Sequence, residues 1–232
     1  MRLLLRPRWL LGHALAVGAI VIFALLGMWQ LRRYDEKADL RDRVEHAMSM
    51  SSVVPIEEVP EGAFRRVTAA GEYLASAEAK VLRSRNGVSG FEVLTPLAMA
   101  DGTAVLVDRG WAALDVDYTL GGAPPAGPVE VEGLLWPAED AAGTVDELPE
   151  FVRRTDPEAF AFATSLEFRP EYLVLAAQSP PTGIALAIPE ARHVSLGPHL
   201  GYAGQWFLFA GVVLVGYPLL LRGRFVRAST PE

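Results

Sequence analysis

The sequence of 232 residues contains no cysteine. This absence excludes a disulfide scaffold, a zinc site built from thiolates, an iron–sulfur cluster and a cysteine nucleophile. Basic residues are also few, with 21 Lys and Arg against 28 Asp and Glu, and the formal net charge of −7 is unfavourable for a general nucleic-acid binder. Hydrophobic residues make up 51% of the chain, which is too many for intrinsic disorder. The length allows one or two domains.

Charged side chains are missing from a long run near the N-terminus, residues 9–31. As a helix with a rise of about 1.5 Å per residue, this run spans roughly 34 Å, enough to cross a hydrocarbon core of about 30 Å. A cleaved signal peptide is the alternative, but its apolar region is normally about 7–15 residues long and ends at a small-residue cleavage site. Here the run is longer, and Trp29 and Gln30 lead directly into Arg32 and Arg33. These features favour a retained membrane anchor.

A second uncharged run covers residues 201–221 and is followed by three arginines. A buried core helix is the alternative, but the length and the arginines favour a membrane span. Three arginines also precede the first run, so the positive-inside rule places both termini in the cytoplasm. The predicted order is a cytoplasmic N-terminus (1–8), a transmembrane helix (9–31), an extracytoplasmic domain (32–200), a second transmembrane helix (201–221) and a cytoplasmic C-terminus (222–232).

The region 32–200 is strongly acidic, because six of the basic residues and only one acidic residue lie outside it. That charge favours solubility, with a basic partner as the second interpretation. Residues 32–48 lack Gly and Pro and are expected to continue the first helix. Alternating apolar residues then predict strands, and Asn86-Gly87 and Asp101-Gly102 predict tight hairpins. The predicted strands are 64–73, 80–85, 90–97, 103–112, 129–136 and 171–178.

A short helix is predicted after Asp156, because Asp156-Pro157-Glu158 has the form of an N-cap, an N1 proline and a first-turn acid. The expected fold class is therefore a membrane protein in which two transmembrane α-helices flank a mainly antiparallel β domain. This extracytoplasmic domain is expected to be barrel-like or sandwich-like.

The four histidines, His13, His46, His193 and His199, are the first candidates for chemistry. An ionisable residue in or beside a membrane span suggests a function. His199 precedes Tyr202 and Trp206 at helical spacing, so the three share one helix face. Imidazole is a common axial ligand of haem iron. The alternative is an interfacial belt, since Tyr and Trp are enriched at headgroup depth.

Two weaker patterns remain. His46, Met48 and Met50 combine ligand types that suit Cu(I), although Met48 also fits the apolar side of a helix end. The segment 108–111, Asp-Arg-Gly-Trp, fits either a site or a strand-end ion pair with a core tryptophan. The pattern of residues supports neither a hydrolytic triad nor a nucleotide-binding loop.

Four segments together resemble the surfeit locus protein 1 family. They lie in family order and cover nearly the whole chain, although the middle, from about 120 to 189, matches no family motif. The segments are GMWQLRR at 27–33, GVSGFEVLTPL at 87–97, VLVDRGW at 105–111 and PHLGYAGQWF at 198–207.

The resemblance implies an assembly factor for haem–copper cytochrome c oxidase that is not an enzyme. It implies transient binding of haem a, with His199 as the ligand of the haem iron. Gly201 and Gly204 are smaller than the family motif leads one to expect, which allows a looser pocket or a different helix contact. The other residues expected to line the cofactor site are Tyr202, Gln205, Trp206, Trp29 and Gln30.

The expected partners are the core subunit of cytochrome c oxidase, the haem a synthase and the lipid bilayer, with no nucleic acid. Mitochondrial members of the family carry a long transit peptide, whereas this sequence starts directly with the apolar run. The expected location is therefore the bacterial plasma membrane, as a multi-pass protein with both termini cytoplasmic. Two alternatives stay open: a membrane scaffold or accessory oxidase subunit that binds no haem, and copper delivery through Met48 and Met50.

Overall fold

The structure is a computed structural model that describes residues 7–50, 52–85, 87–115, 122–139, 148–181 and 194–228. The chain divides into two compact units. One comprises Met1–Asp42 with Val194–Glu232, and the other comprises Arg43–His193. His193 and Asn86, which the sequence analysis singled out, lie outside the described residues.

The first unit contains a pair of long helices. Helix α1 covers Pro7–Ser49 and helix α3 covers His199–Ala228. Within the described residues, Trp9–Ser49 and His199–Gly223 are long and apolar enough to cross a membrane. The two predicted spans lie inside these helices, and α1 continues through residues 32–48 as predicted. Arg43, where the second unit starts, lies within α1.

The second unit is built on a mixed eight-stranded sheet in the described residues. Its order is β1-β2-β6-β8-β5-β4-β3-β7, and β2 also pairs with β4. The strands are β1 (Val54–Pro55), β2 (Arg66–Tyr73), β3 (Ala79–Arg85), β4 (Val88–Met99), β5 (Thr103–Ala113), β6 (Pro128–Pro137), β7 (Phe151–Val152) and β8 (Glu167–Ser179).

The additional pairing between β2 and β4 closes five strands into a ring, which forms a barrel. The strands of this barrel are β2, β4, β5, β8 and β6. Numbered along the chain, the ring order is 1-2-3-5-4-1, the connectivity of five-stranded OB-type barrels. Gly71 lies where β2 pairs on both sides, opposite Met99 of β4 and Val129 of β6. A Cβ at Gly71 would lie 2.2 Å from the carbonyl oxygen of Ala98, so only glycine permits this closure.

The prediction of a mainly antiparallel domain is confirmed in part, because five of the eight strand pairs in the described residues are antiparallel, whereas β1–β2, β3–β7 and β5–β8 are parallel. The two predicted hairpins, β3–β4 and β4–β5, are antiparallel. Hairpin motifs in a sequence predict pairing only between strands that follow each other in the chain. The parallel partner of β5 is β8, and β6 and helix α2 lie between the two in sequence.

Two larger apolar clusters make up most of the core of this unit. Inside the ring, alternate residues of the strands form one apolar cluster that includes Val67, Leu97, Val107 and Leu173. Outside it, helix α2 (Pro157–Thr164) covers a second cluster through Phe160. The N-cap of α2 is Asp156, whose Oδ1 accepts a hydrogen bond from the Glu158 amide at 3.0 Å, as the sequence predicts.

Candidate functional site

Helices α1 and α3 contact each other at several levels along their length. His13 Nδ1 lies 2.7 Å from the hydroxyl oxygen of Tyr217. Further along, the rings of Phe23 and Trp206 stack with their centroids 5.7 Å apart. The polar contacts thus alternate with aromatic packing between the two helices.

Where α3 begins, His199 Nδ1 lies 2.8 Å from Oε1 of Gln30 on α1. Both residues are partly buried. His199 is the first residue of α3, and the first turn is closed by a bond from the Tyr202 amide to the carbonyl of Pro198 at 3.1 Å. The structure therefore brings together two residues that are 169 positions apart in sequence, both of them predicted site residues.

A glycine lies on the other side of the His199 ring. Gly197 has a φ of +63°, in the left-handed region that favours glycine. A Cβ at this position would lie 3.3 Å from both Cδ2 and Nε2 of His199. A side chain at this position would therefore crowd the ring edge that carries Nε2. Gly197 is not among the predicted site residues, and its place directly before Pro198-His199 is its only signal in the sequence.

The remaining predicted site residues are divided between two environments. Trp206 packs against Phe23 and, edge-on, against Phe209 with centroids 6.0 Å apart. Tyr202 is 49% exposed and Trp29 is 44% exposed. Gln205 is also exposed. The helix pair thus holds His199, Gln30 and Trp206 at its contacts and leaves Tyr202, Gln205 and Trp29 on its outer surface.

The sequence profile of the SURF1 family, which is the surfeit locus protein 1 family, matches residues 17–211. The chain belongs to this family. The match includes both members of the His199–Gln30 contact and every residue between them. The SURF1 family is known generally as a family of cytochrome oxidase assembly factors.

Several individual proteins are similar to this SURF1-family chain. Uncharacterized SURF1-like proteins of Mycobacterium bovis and Mycobacterium tuberculosis are 29% identical over 230 residues, covering 92% of this chain and 83% of theirs. A SURF1-like protein of Dictyostelium discoideum is 33% identical over 104 residues, covering 38% of this chain and 37% of its own.

The family segment 105–111 contributes a buried arginine to the barrel. Arg109, with 1% of its surface exposed, donates from Nη1 to Glu78 Oε2 at 2.9 Å and from Nη2 to the carbonyl of Gly122 at 2.8 Å. Thr95 Oγ1 donates to the same Glu78 oxygen at 2.9 Å. This arrangement identifies Arg109 as part of the barrel's folded interior.

Two aromatic residues lie near Arg109, and one of them departs from the sequence prediction. Trp111 is partly exposed instead of belonging to the core, and its Nε1 donates to the carbonyl of Arg83 at 3.1 Å. The guanidinium of Arg109 lies 5.4 Å from the centre of the Tyr73 ring. Burial raises the pKa of Tyr73 to about 12, although the positive charge of Arg109 opposes that rise.

Other polar clusters of the barrel are also explained by folding. The pKa of Arg83 is raised because its contacts with Glu139 and Glu92 outweigh the opposing effect of burial. Hydrogen bonds from Thr103 lower the pKa of Asp101 at the tip of the β4–β5 hairpin.

Met48 and Met50 are each 36% exposed. In the described part of the chain, no group of three or more His, Asp or Glu residues could hold a metal ion.

Proposed function

We propose that this chain is an assembly factor for haem–copper cytochrome c oxidase that binds haem a and aids its insertion into the oxidase core subunit. Membership of the SURF1 family supports the coarse role in oxidase assembly. The observation that carries the finer proposal is the geometry of His199, a partly buried imidazole at the first residue of an apolar helix.

The residues around His199 fit a haem iron. A neutral imidazole nitrogen is an established axial ligand of haem. One nitrogen of the ring lies 2.8 Å from Gln30, and Gly197 adds no side chain beside the other. Phe23 and Trp206 provide aromatic surface on the same helix pair. An apolar surface with a single nitrogen donor suits a flat, largely apolar cargo.

Each part of the chain has a task in this proposal. His199 would hold the iron, and the helix pair would keep water from the apolar macrocycle. The bond from His199 has to be weak enough to give way to the ligands of the oxidase subunit. The barrel docks on that subunit, and the haem a synthase supplies the cargo. The chain catalyses no reaction.

The proposed location is a bacterial plasma membrane. The length and composition of α1 and α3 support two membrane spans. The arginines at both ends of the sequence support a cytoplasmic location for both termini, because positive residues are enriched on that side. The barrel would then lie outside the cytoplasm.

Substitution of His199 tests the haem proposal directly. We expect His199→Ala to remove most of the haem from protein purified from cells that make haem a, since the iron loses its nitrogen ligand. The measurement is the visible absorbance of haem per mole of protein. His13→Ala is the matched control, because it removes another imidazole from the same helix pair and should keep the wild-type haem content.

Equal haem content in His199→Ala and wild type would contradict the proposal. The alternative function, a scaffold or accessory oxidase subunit that binds no haem, is favoured by the exposed apolar surface of α3. Under that alternative, wild-type protein isolated in mild detergent carries oxidase subunits but no haem.

A further inference from the structure

Gln30 is an unusual residue for its position. It carries one of the two strongly polar side chains in the otherwise apolar run 9–31, the other being His13. An amide removed from water without a partner costs free energy, so its partner indicates its role. In the structure, the partner of the Gln30 side-chain oxygen is Nδ1 of His199.

The chemistry of this contact determines which nitrogen of His199 carries hydrogen. The oxygen of an amide only accepts hydrogen bonds. The contact between Oε1 and Nδ1, at 2.8 Å, is therefore a hydrogen bond when Nδ1 is protonated. A neutral imidazole has one hydrogen, so Nε2 then presents its lone pair.

The geometry at Nε2 agrees with this assignment. Gly197 lies beside the edge of the ring that includes Nε2, where any Cβ would lie at 3.3 Å. The Gly197 amide donates to Ser195 Oγ at 3.2 Å, which holds the turn before α3. An acceptor thus lies at Nδ1 of His199, and Gly197 adds no side chain that would crowd Nε2.

We propose that Gln30 is a positioning residue that holds His199 in the Nδ1–H tautomer and so presents Nε2 as the iron ligand. This inference rests on the proposed function, in which His199 binds haem. Gln30 touches His199 and acts through it. Hydrogen bonds from a ligating histidine to an acceptor commonly fix its tautomer and orientation.

The type of acceptor also matters. A carboxylate acceptor makes an imidazole ligand more basic, whereas a neutral amide polarises the ring less. Gln30 therefore gives a correctly oriented ligand of moderate strength. Such a ligand suits a protein that has to release its haem to another.

The tautomer can be measured without haem. In full-length protein with ¹⁵N-labelled histidine, purified in detergent at mildly alkaline pH, the two ring nitrogens have distinct NMR shifts. The His199 signal is assigned by its loss in His199→Phe. We expect Nδ1 to be protonated and Nε2 to be unprotonated in the wild type, and Gln30→Leu to increase the Nε2–H form.

Tyr217→Phe is the matched control for this measurement. It removes the hydroxyl that lies 2.7 Å from His13 Nδ1, so it should change the signal of His13 and leave that of His199 as in the wild type. A wild-type His199 that carries its hydrogen on Nε2 would overturn the inference. So would a His199 tautomer that stays the same in Gln30→Leu.

Haemin is the probe for the consequence in binding. We expect Gln30→Leu to weaken haemin binding roughly 10–100-fold, the usual effect of losing a partner of a metal ligand. Gly197→Ala should also weaken binding, because its methyl group would crowd Nε2, yet it should keep the tautomer. Gln30→Glu should lower the reduction potential of the bound haemin, because a carboxylate acceptor makes the imidazole ligand more basic.

The results separate the two proposals. If wild-type protein binds no haemin and carries no haem from cells, the proposed function fails, while the tautomer measurement still decides the effect of Gln30. If the wild type binds haemin through His199 but Gln30→Leu binds equally well, the positioning role fails and the proposed function stands.

Discussion

The helix pair and the barrel distribute apolar and polar side chains in different ways. On α1 and α3, large apolar residues face outward, and Leu15 and Leu208 are 65% and 64% exposed. In the barrel, comparable residues such as Leu97 and Leu173 are fully buried. The two regions therefore use the same residue types for opposite surfaces, as expected when one is surrounded by lipid and the other by water.

The polar contacts of the helix pair and of the barrel also differ in kind. In the described part of the helix pair, the polar contacts between α1 and α3 pair an imidazole with a phenol, His13 with Tyr217, and an amide with an imidazole, Gln30 with His199. The barrel instead buries charged groups and pairs them, as Arg109 with Glu78. Charge is tolerated inside the barrel because each partner offsets the cost of removing the other from water. The comparison predicts different responses to substitution in the two regions.

The largest effect is expected in the barrel, from Arg109→Leu. This change leaves Glu78 without its buried guanidinium partner, and we expect a loss of about 3–5 kcal/mol in the free energy of unfolding. The melting temperature should fall by roughly 10 °C. Thermal unfolding of the detergent-purified chain, followed by circular dichroism, measures the change.

Arg33→Ala is the control for this prediction. Arg33 pairs with Glu36 at 2.8 Å, but both side chains are more than half exposed. Exposed pairs contribute little, so the stability should change by less than about 1 kcal/mol. Equal effects of the two substitutions would show that burial does not distinguish the two ion pairs.

A smaller effect is expected in the helix pair, from Gly27→Leu. A Cβ at Gly27 would lie 2.7 Å from the ring of Phe207, so the ring or the helices would have to move. We expect the helix pair to lose about 1–3 kcal/mol. Near-ultraviolet circular dichroism during thermal unfolding reports on the packing of Trp206 with Phe23.

The control for this change is Gly18→Leu. Nothing lies within 4 Å of a Cβ at Gly18, so this substitution should leave the packing signal close to that of the wild type. If the two leucine variants behaved alike, close approach at Gly27 would not be what holds α1 against α3.

The smallest effect at neutral pH is expected from Tyr73→Phe. The hydroxyl of Tyr73 donates to Gln178 Oε1 at 3.1 Å, and its loss should cost about 1 kcal/mol. Because burial raises the pKa of Tyr73 to about 12, the folded barrel favours the neutral phenol. The contribution of Tyr73 is therefore fully present below about pH 10 and is lost as the pH rises toward 12.

Melting temperatures measured across this alkaline range test the assignment. The wild-type barrel should lose stability more steeply than Tyr73→Phe, which lacks the titrating group. Parallel curves for the two proteins would show that Tyr73 does not contribute to alkaline unfolding.

Local sequence signals predicted most of the individual elements. The hairpin glycine Gly102 adopts a φ of +87° between β4 and β5. Asp156 caps α2, and Ser165 ends it in the left-handed conformation. These features depend on interactions between near neighbours in sequence, which is why a pattern of residues can predict them.

The arrangement of the sheet was beyond such signals. The parallel pairing of β5 with β8 and the closure of β2 on β4 join distant segments. The two-residue strands β1 and β7 were missed because they are too short to show a period. Their pairing partners, β2 and β3, make them strands.

The candidate site shows the same division. The family motifs predict six site residues without distinguishing among them. Three of these, His199, Gln30 and Trp206, lie at the contact between the helices. The other three, Tyr202, Gln205 and Trp29, are exposed. Their exposed positions on the helix pair are decided by which face of each helix meets the other. The role of Gly197 depends on a backbone conformation and a ring edge that no spacing rule describes.

The sequence by itself determined two long apolar helices, a β-rich segment between them and the residues worth suspecting, because each depends on local composition and periodicity. Only the tertiary structure decided that five strands close into a ring with one parallel pair. It also decided that the amide of Gln30 meets Nδ1 of His199. The physical reason is that such contacts depend on packing between segments far apart in the chain, where hydrogen-bond partners and space are set by the fold as a whole.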